Sequence, residues 1–318
     1  MIVAAGLLIS SFARAQQDST LIPDTLERKT LQEVIVRAYE QNRRLADVPA
    51  AIGVLTPAQF NRYSNISIVA AFNSIPGVRM EERSPGSYRL SFRGSTLRSP
   101  FGVRNVKVYL DGIPFTDPGG NTYLTQLAPF NIQSLEVIKG PAGSLYGAGT
   151  GGAVLLQTLP NNWQPGFTAD YSGGSFGSNN INAQVRFGDS NNGNSISFSH
   201  QISNGYRDHT QLRRDMAIWE SVIKNTGRQT LKSLVSYGDL YYQTPGALTL
   251  TEYKANPKQA RPAAGVNPSA DQAKAAIYQK TFMAAISNEY RFSDRWKNNT
   301  NFYGAYTNYL NPTFRNYE

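Results

Sequence analysis

The chain has 318 residues, 31 of them Lys or Arg and 22 Asp or Glu, giving a formal charge of +9, and it contains no cysteine. The missing cysteines exclude disulfides and thiolate metal sites, and only two histidines are present, His200 and His209, in polar sequence, which argues against a histidine metal centre or a catalytic triad. The basic residues are scattered rather than gathered in tracts, so the charge reads as surface charge and not as a nucleic-acid footprint.

Charged residues make up 17% of the chain, and Tyr (18) and Phe (15) are abundant beside frequent Asn and Ser. That mix suits β-structure with polar turns. No apolar run is long enough for a transmembrane helix. A membrane β-barrel stays open, because its signal is only a weak alternation.

Residues 1–15 read as an export signal, with an apolar stretch from Ile2 to Phe12 and Ala13-Arg14-Ala15 as cleavage site. A polar tail follows. Glu33-Val34-Ile35-Val36 is a short β-prone run within it. It is either the first strand of a domain or an exposed strand that adds to a partner's sheet edge.

Residues 39–160 read as a compact α/β-like unit. Pro49–Leu55 is a strand, and Thr56-Pro57 opens a helix with Thr as N-cap. Ile66–Ile75 is a second helix, stopped by Pro76-Gly77. Val78–Glu82 and Tyr88–Phe92 form a hairpin, Val106–Leu110 is a strand turned by Asp111-Gly112, and Ala128–Gln133 is a helical link. Leu135–Ile138 is a strand, Ser144-Leu145-Tyr146 one helical turn, and Ala153–Gln157 a strand again. The glycines from Gly147 to Gly152 formally match a dinucleotide fingerprint. They open an extended run that meets Pro160 instead of a helix, so no phosphate cradle is expected.

After Pro160 the pattern becomes strict alternation. Phe167, Ala169 and Tyr171 alternate with polar neighbours, as do Ile181, Ala183, Val185 and Phe187, then Ile196, Phe198, His200 and Ile202. Further strands are expected at Asp215–Lys224, Gln229–Tyr242 and Lys280–Phe292, with a seventh from Arg295. Long strands with one apolar and one uniformly polar face favour a transmembrane barrel over a soluble sandwich. Gln243–Gln279 is a long, Pro-, Ala- and Lys-rich external loop.

In this order, four signatures resemble TonB-dependent outer-membrane receptors: Glu33–Val36 as a TonB box; Ser74-Ile75-Pro76-Gly77-Val78 with Phe92-Arg93-Gly94; Val108–Pro114; and Glu136–Pro141 running on to Leu145-Tyr146-Gly147 and Gly151-Gly152. Thr244–Thr249 is more weakly similar to a loop of ferric-citrate-type receptors. The resemblance implies an α+β plug domain followed by an antiparallel transmembrane β-barrel, of about 22 strands in such receptors. The implied domains are a signal peptide (1–15), a periplasmic tail with the TonB box (16–38), the plug (39–160) and a partial barrel (161–318). With only seven strands legible, a fragment of a longer product is expected. The short spacing from Ala15 to Thr30 leaves no room for an extra signalling domain before the box.

The resemblance further implies active uptake of a scarce nutrient, most simply a ferric chelate of siderophore or citrate type, across the outer membrane of a Gram-negative bacterium. TonB and its inner-membrane energising complex would pair with Glu33, Val34, Ile35 and Val36 by strand addition. Arg93 and Lys139 match the two basic plug residues that pair with barrel glutamates, with Glu136 pairing with one of them. Lys139 stands where arginine is usual and lacks its bidentate fork. Arg83, Arg98, Arg104 and Tyr123, on outward plug loops, are the candidate ligand residues. Neither cofactor nor metal is expected, and no catalytic constellation is visible. A soluble plug-like ligand-binding module without transport is the alternative.

Overall fold

A computed structural model of the chain describes residues 34–40, 43–60, 62–63, 66–94, 103–140, 142–149, 151–160, 162–225 and 227–312. The export signal, the tail through Glu33, and Arg98 lie outside these residues.

The first half is the expected α/β unit. Two short strands, β1 (Ile35–Val36) and β2 (Arg43–Arg44), pair antiparallel. Then follow β3 (Ile52–Leu55), α1 (Pro57–Phe60), α2 (Val69–Asn73), the hairpin β4 (Val78–Ser84) and β5 (Ser87–Phe92), β6 (Val106–Leu110), β7 (Ile113–Pro114), β8 (Ser134–Lys139), α3 (Gly143–Tyr146) and β9 (Gly152–Gln157). One five-stranded sheet has the order β3-β8-β9-β6-β7, with only the β6–β9 pair parallel.

The second helix, expected over Ile66–Ile75, is shorter. Before α2, the Ser67 hydroxyl accepts the Val69 N–H at 3.3 Å, so the chain enters through a turn and the helix covers only Val69–Asn73. At α1 it is Gln59 that reaches back, accepting the Thr56 N–H at 2.8 Å. Asn73 then ties α2 to β4, accepting from Met80 N at 2.7 Å and donating to Met80 O at 2.9 Å. The strand expected from Pro49 begins at Ile52, and the helical link is a single 3-10 turn at Pro129–Asn131. Phe72 and Phe92 are completely buried in this half. Each such side chain contributes about 1.5–3 kcal/mol relative to exposure.

The glycine stretch has a steric cause. Gly152 opens β9 at φ 130°, and a Cβ there would collide with the carbonyl oxygen of Ile138 on β8. Only glycine allows β9 to start this close to its neighbour. A strand leaves the glycines, as the sequence required.

The second half is one antiparallel sheet of seven strands in sequence order: β10 (Gly166–Gly174), β11 (Ser178–Gly188), β12 (Asn192–Ser203), β13 (Leu212–Asn225), β14 (Gln229–Gln243), β15 (Ala276–Arg291) and β16 (Lys297–Leu310). Between β14 and β15 lies α4 (Leu250–Ala255). Its Thr249–Glu252 pair forms a capping box. Connections at one end of the sheet are uniformly short (189–191, 226–228, 292–296). Those at the other end grow along the chain (175–177, 204–211, 244–275).

The faces of this sheet invert the rule for soluble proteins. On β11 and β12, Asn180, Asn182, Gln184, Ser195, Ser197, Ser199 and Gln201 are buried, whereas Ile181, Val185, Ile196 and Phe198 are exposed. Phe302 and Tyr306 of β16 are more than 70% exposed. The polar face lies against the plug and the apolar face looks outward, the arrangement of a wall facing lipid. No helix among the described residues is long and apolar enough to cross a membrane.

Candidate functional site: a plug bonded to a barrel wall

Polar contacts dominate the seam between plug and wall. Asn131, after its 3-10 turn, donates to Ser197 at 2.5 Å and accepts from Gln184 at 3.1 Å. Arg214 of β13, only 5% exposed, donates Nη1 to the carbonyls of Thr125 and Leu127, each at 3.4 Å. Asn301 of β16 donates to the Gly112 carbonyl at 3.3 Å. The Thr158 hydroxyl touches carboxyl oxygens of both Asp111, at the β6–β7 turn, and buried Glu220 on β13. An apolar part adds to this: Met216, Ile218, Leu234, Met283 and Ala285 of the wall join the plug's own core.

The N-terminal segment lies at the short-connection end. Arg37 lines a cavity of about 300 Å³ with Asp111, Tyr146, Lys232, Glu289 and Lys297. Ile35 is 62% exposed, while Val36 and Ala38 are buried with Ile138, Ala142, Tyr146 and Ala153. Three successive backbone N–H groups behind the exposed strand are held by side chains. Arg37 N donates to both carboxylate oxygens of Glu136 (2.8 and 3.0 Å), Ala38 N to Glu136 at 2.9 Å, and Tyr39 N to the Tyr146 hydroxyl at 2.8 Å. Burial pushes the Glu136 carboxyl above its usual range, and the two N–H donors and the Arg37 charge pull it back in part.

This corrects one expectation. Glu136 does not pair with Arg93 or Lys139; its carboxylate points to the N-terminal segment. Lys139 instead donates Nζ to the Pro76 carbonyl at 2.9 Å. Arg93, exposed and at φ 51°, donates its backbone N–H to Gly77 O at 2.8 Å. The two basic side chains do converge, since both would contact a Cβ placed at Gly77, each at 3.9 Å.

The described candidate ligand residues lie near the other end, Arg83 on β4 just before the hairpin turn rather than on a loop, and Arg104 and Tyr123 on loops. Arg83 and Arg104 are exposed, and Arg104 Nε donates to Asn121 at 2.6 Å. Tyr123 faces Tyr309 of β16 with ring centroids 6.1 Å apart. Around Tyr123 stand Tyr88 and Tyr242. Burial, then the nearby Glu82, pushes the Tyr88 phenol up to about 12. Above them, Arg207 fastens the long loop by donating Nη2 to Gly246 O (3.1 Å) and Gln259 O (2.9 Å). Among the described residues no cluster of His, Cys, Asp or Glu suits a metal ion.

Two residues escaped the sequence reading. Arg214 and Glu220 look like ordinary polar positions of a barrel strand. Their inward parity on β13 was the one available signal. For Glu136 the signal was stronger: it interrupts the otherwise apolar buried run Leu135–Ile138.

A plug domain bonded to the polar face of an outward-apolar antiparallel sheet defines a plugged barrel as the class of fold. A family model described as "TonB-dependent Receptor Plug Domain" matches residues 44–154. Over that segment the chain carries a plug domain of the TonB-dependent receptor kind. It is 25% identical over 188 residues to a vitamin B12 transporter of Vibrio vulnificus, covering 57% of this chain and 29% of that protein. It is 29% identical over 120 residues to the ferrioxamine receptor of Yersinia enterocolitica, covering 38% and 16%. Its fold resembles that of the unliganded ferric citrate transporter FecA, with a TM-score of 0.68, 20% identity, and coverage of 82% of this chain and 40% of that one. The chain therefore spans well under half the length of each of these relatives.

Proposed function

We propose that this chain acts within an outer-membrane receptor that imports a scarce nutrient, a ferric chelate of siderophore or citrate type, with energy delivered through TonB. The observation that carries the reading is the polarity of the plug. The strand Ile35–Val36, with the Ile35 side chain exposed, lies at the short-connection end, and basic and aromatic residues lie toward the long-loop end. In membrane barrels short turns face the periplasm and long loops the exterior. On this reading the coupling strand meets TonB from inside, and Arg83, Arg104, Tyr123 and the tyrosines beside it meet the chelate from outside. TonB adds a strand to Glu33–Val36, since main-chain hydrogen bonds supply affinity with little demand on sequence. Arg93 and Lys139 form the plug's side of a basic latch toward barrel carboxylates. Relatives named for ferric citrate and ferrioxamine support an iron chelate, and the one named for vitamin B12 supplies the comparison ligand.

The test is uptake of radiolabelled ferric citrate, ferrioxamine and vitamin B12 by cells expressing the receptor, with and without TonB. The reading predicts that one iron chelate accumulates only when TonB is present. Accumulation independent of TonB, or of vitamin B12 alone, would contradict it.

A further inference from the structure

We infer that Glu136 is the clasp through which a pull on the coupling strand reaches the plug's sheet. This inference rests on the TonB-coupled reading above. The strand β1 ends at Val36. Arg37, Ala38 and Tyr39 present their N–H groups in succession, and each is taken by a side chain of the segment 136–146. Glu136 receives two of the three, and a carboxylate is the one side chain that accepts two adjacent N–H groups with charge assistance. The contact is shielded: Glu136 is 3% exposed, and Val36 and Ala38 are fully buried around it.

The placement of Glu136 gives this contact a mechanical role. It sits within β8, paired to Val54 of β3 on one side and Leu155 of β9 on the other. Three residues further along the same strand is Lys139, beside Arg93. Tension on residues 34–36 therefore runs through the Arg37 and Ala38 amides into the Glu136 carboxylate. From there it loads β8, the strand that ends in the basic pair. Tyr146 acts as a second stay on Tyr39, and its own carbonyl accepts from the Tyr109 hydroxyl at 3.1 Å, anchoring it to β6. Without the carboxylate, the same pull peels residues 35–39 from the plug and leaves β8 in place. Glu136 is thus a positioning residue for coupling and touches neither partner nor ligand.

The experiment uses the receptor in outer membranes with a nitroxide on Ile35→Cys; these 318 residues contribute no other cysteine. It compares Glu136 with Glu136→Gln and Glu136→Ala. Gln keeps the shape but sets an amide N–H₂ against one of the two donors, so it serves if Ala fails to assemble. In both variants we expect a more mobile spin label and a maximal ferric citrate uptake rate reduced tenfold or more. Ferric citrate Kd and the affinity of a soluble periplasmic TonB domain stay within twofold of the parent. Unchanged label mobility overturns the clasp, as does unchanged uptake with a mobile label. A parallel loss of ferric citrate affinity also overturns it, because it marks general damage to the plug. Failure of the TonB-coupled reading is separately visible: the parent receptor itself would then import without TonB, whatever the label reports.

Discussion

At the scale of single residues, the seam between plug and wall rests on buried polar groups. Thr158 has one hydroxyl hydrogen for two carboxyl neighbours, Asp111 and Glu220. One contact is made by the Thr O–H; the other needs a hydrogen on a carboxyl. Glu220→Gln supplies N–H donors there permanently. It should leave the thermal unfolding midpoint at pH 8 equal to or above that of the parent. Thr158→Val removes the bridge and leaves buried Glu220 facing half-buried Asp111, a loss of about 1–3 kcal/mol, read as a lowered midpoint. A drop in Glu220→Gln as large as in Thr158→Val would contradict the bridging role. This level was the least legible in sequence. Arg93 and Lys139 were found as signature residues, and the structure does bring them side by side over Gly77. That Glu136 turns toward Arg37 and Ala38, 99 and 98 residues earlier in the chain, depends on tertiary packing that no local pattern encodes.

At the scale of elements, the alternation of the strands carried nearly all of its meaning in the sequence, because a period of two assigns every residue to a face. Ile181, Val185, Ile196 and Phe198 were placed on the outward face by parity alone, and they are exposed there. Strand ends were less legible: β13 begins at Leu212 rather than Asp215, and β15 at Ala276 rather than Lys280, since edge residues extend ladders whenever a neighbour offers partners. Helices fared worst. Four- and five-residue turns such as α1 and α2 are fixed by their side-chain bonds and by burial, with little contribution from propensity. The outward face gives a quantitative expectation. Phe198→Arg in the middle of β12 puts a charge toward lipid and should destabilise the folded receptor in bilayers by about 2–4 kcal/mol, measured by denaturant titration. A cost below about 0.5 kcal/mol would show that this face does not meet hydrocarbon.

At the scale of the whole molecule, what matters is that the plug has two different ends. The plug is fastened to the wall by hydrogen bonds from Asn131, Arg214 and Asn301 and by the Thr158 bridge, beside the apolar contacts of Met216, Ile218, Leu234, Met283 and Ala285. The order of motifs along the chain made this architecture legible. The polarity, with Arg37 at the short-connection end and Tyr123 packed on Tyr309, emerged only in three dimensions.

The central claim is that the exposed strand at Ile35 couples the receptor to its energy source. The direct measurement is the initial rate of ferric citrate uptake by Ile35→Pro beside the parent, at equal amounts of receptor and equal ferric citrate binding. The Ile35 side chain is largely exposed, so the substitution removes no core contact, while proline removes the backbone N–H of a residue that stands opposite Arg44 of β2; equal ferric citrate binding shows that the plug itself is intact. The account predicts uptake reduced to the level of cells without TonB. Uptake at the parental rate would contradict it.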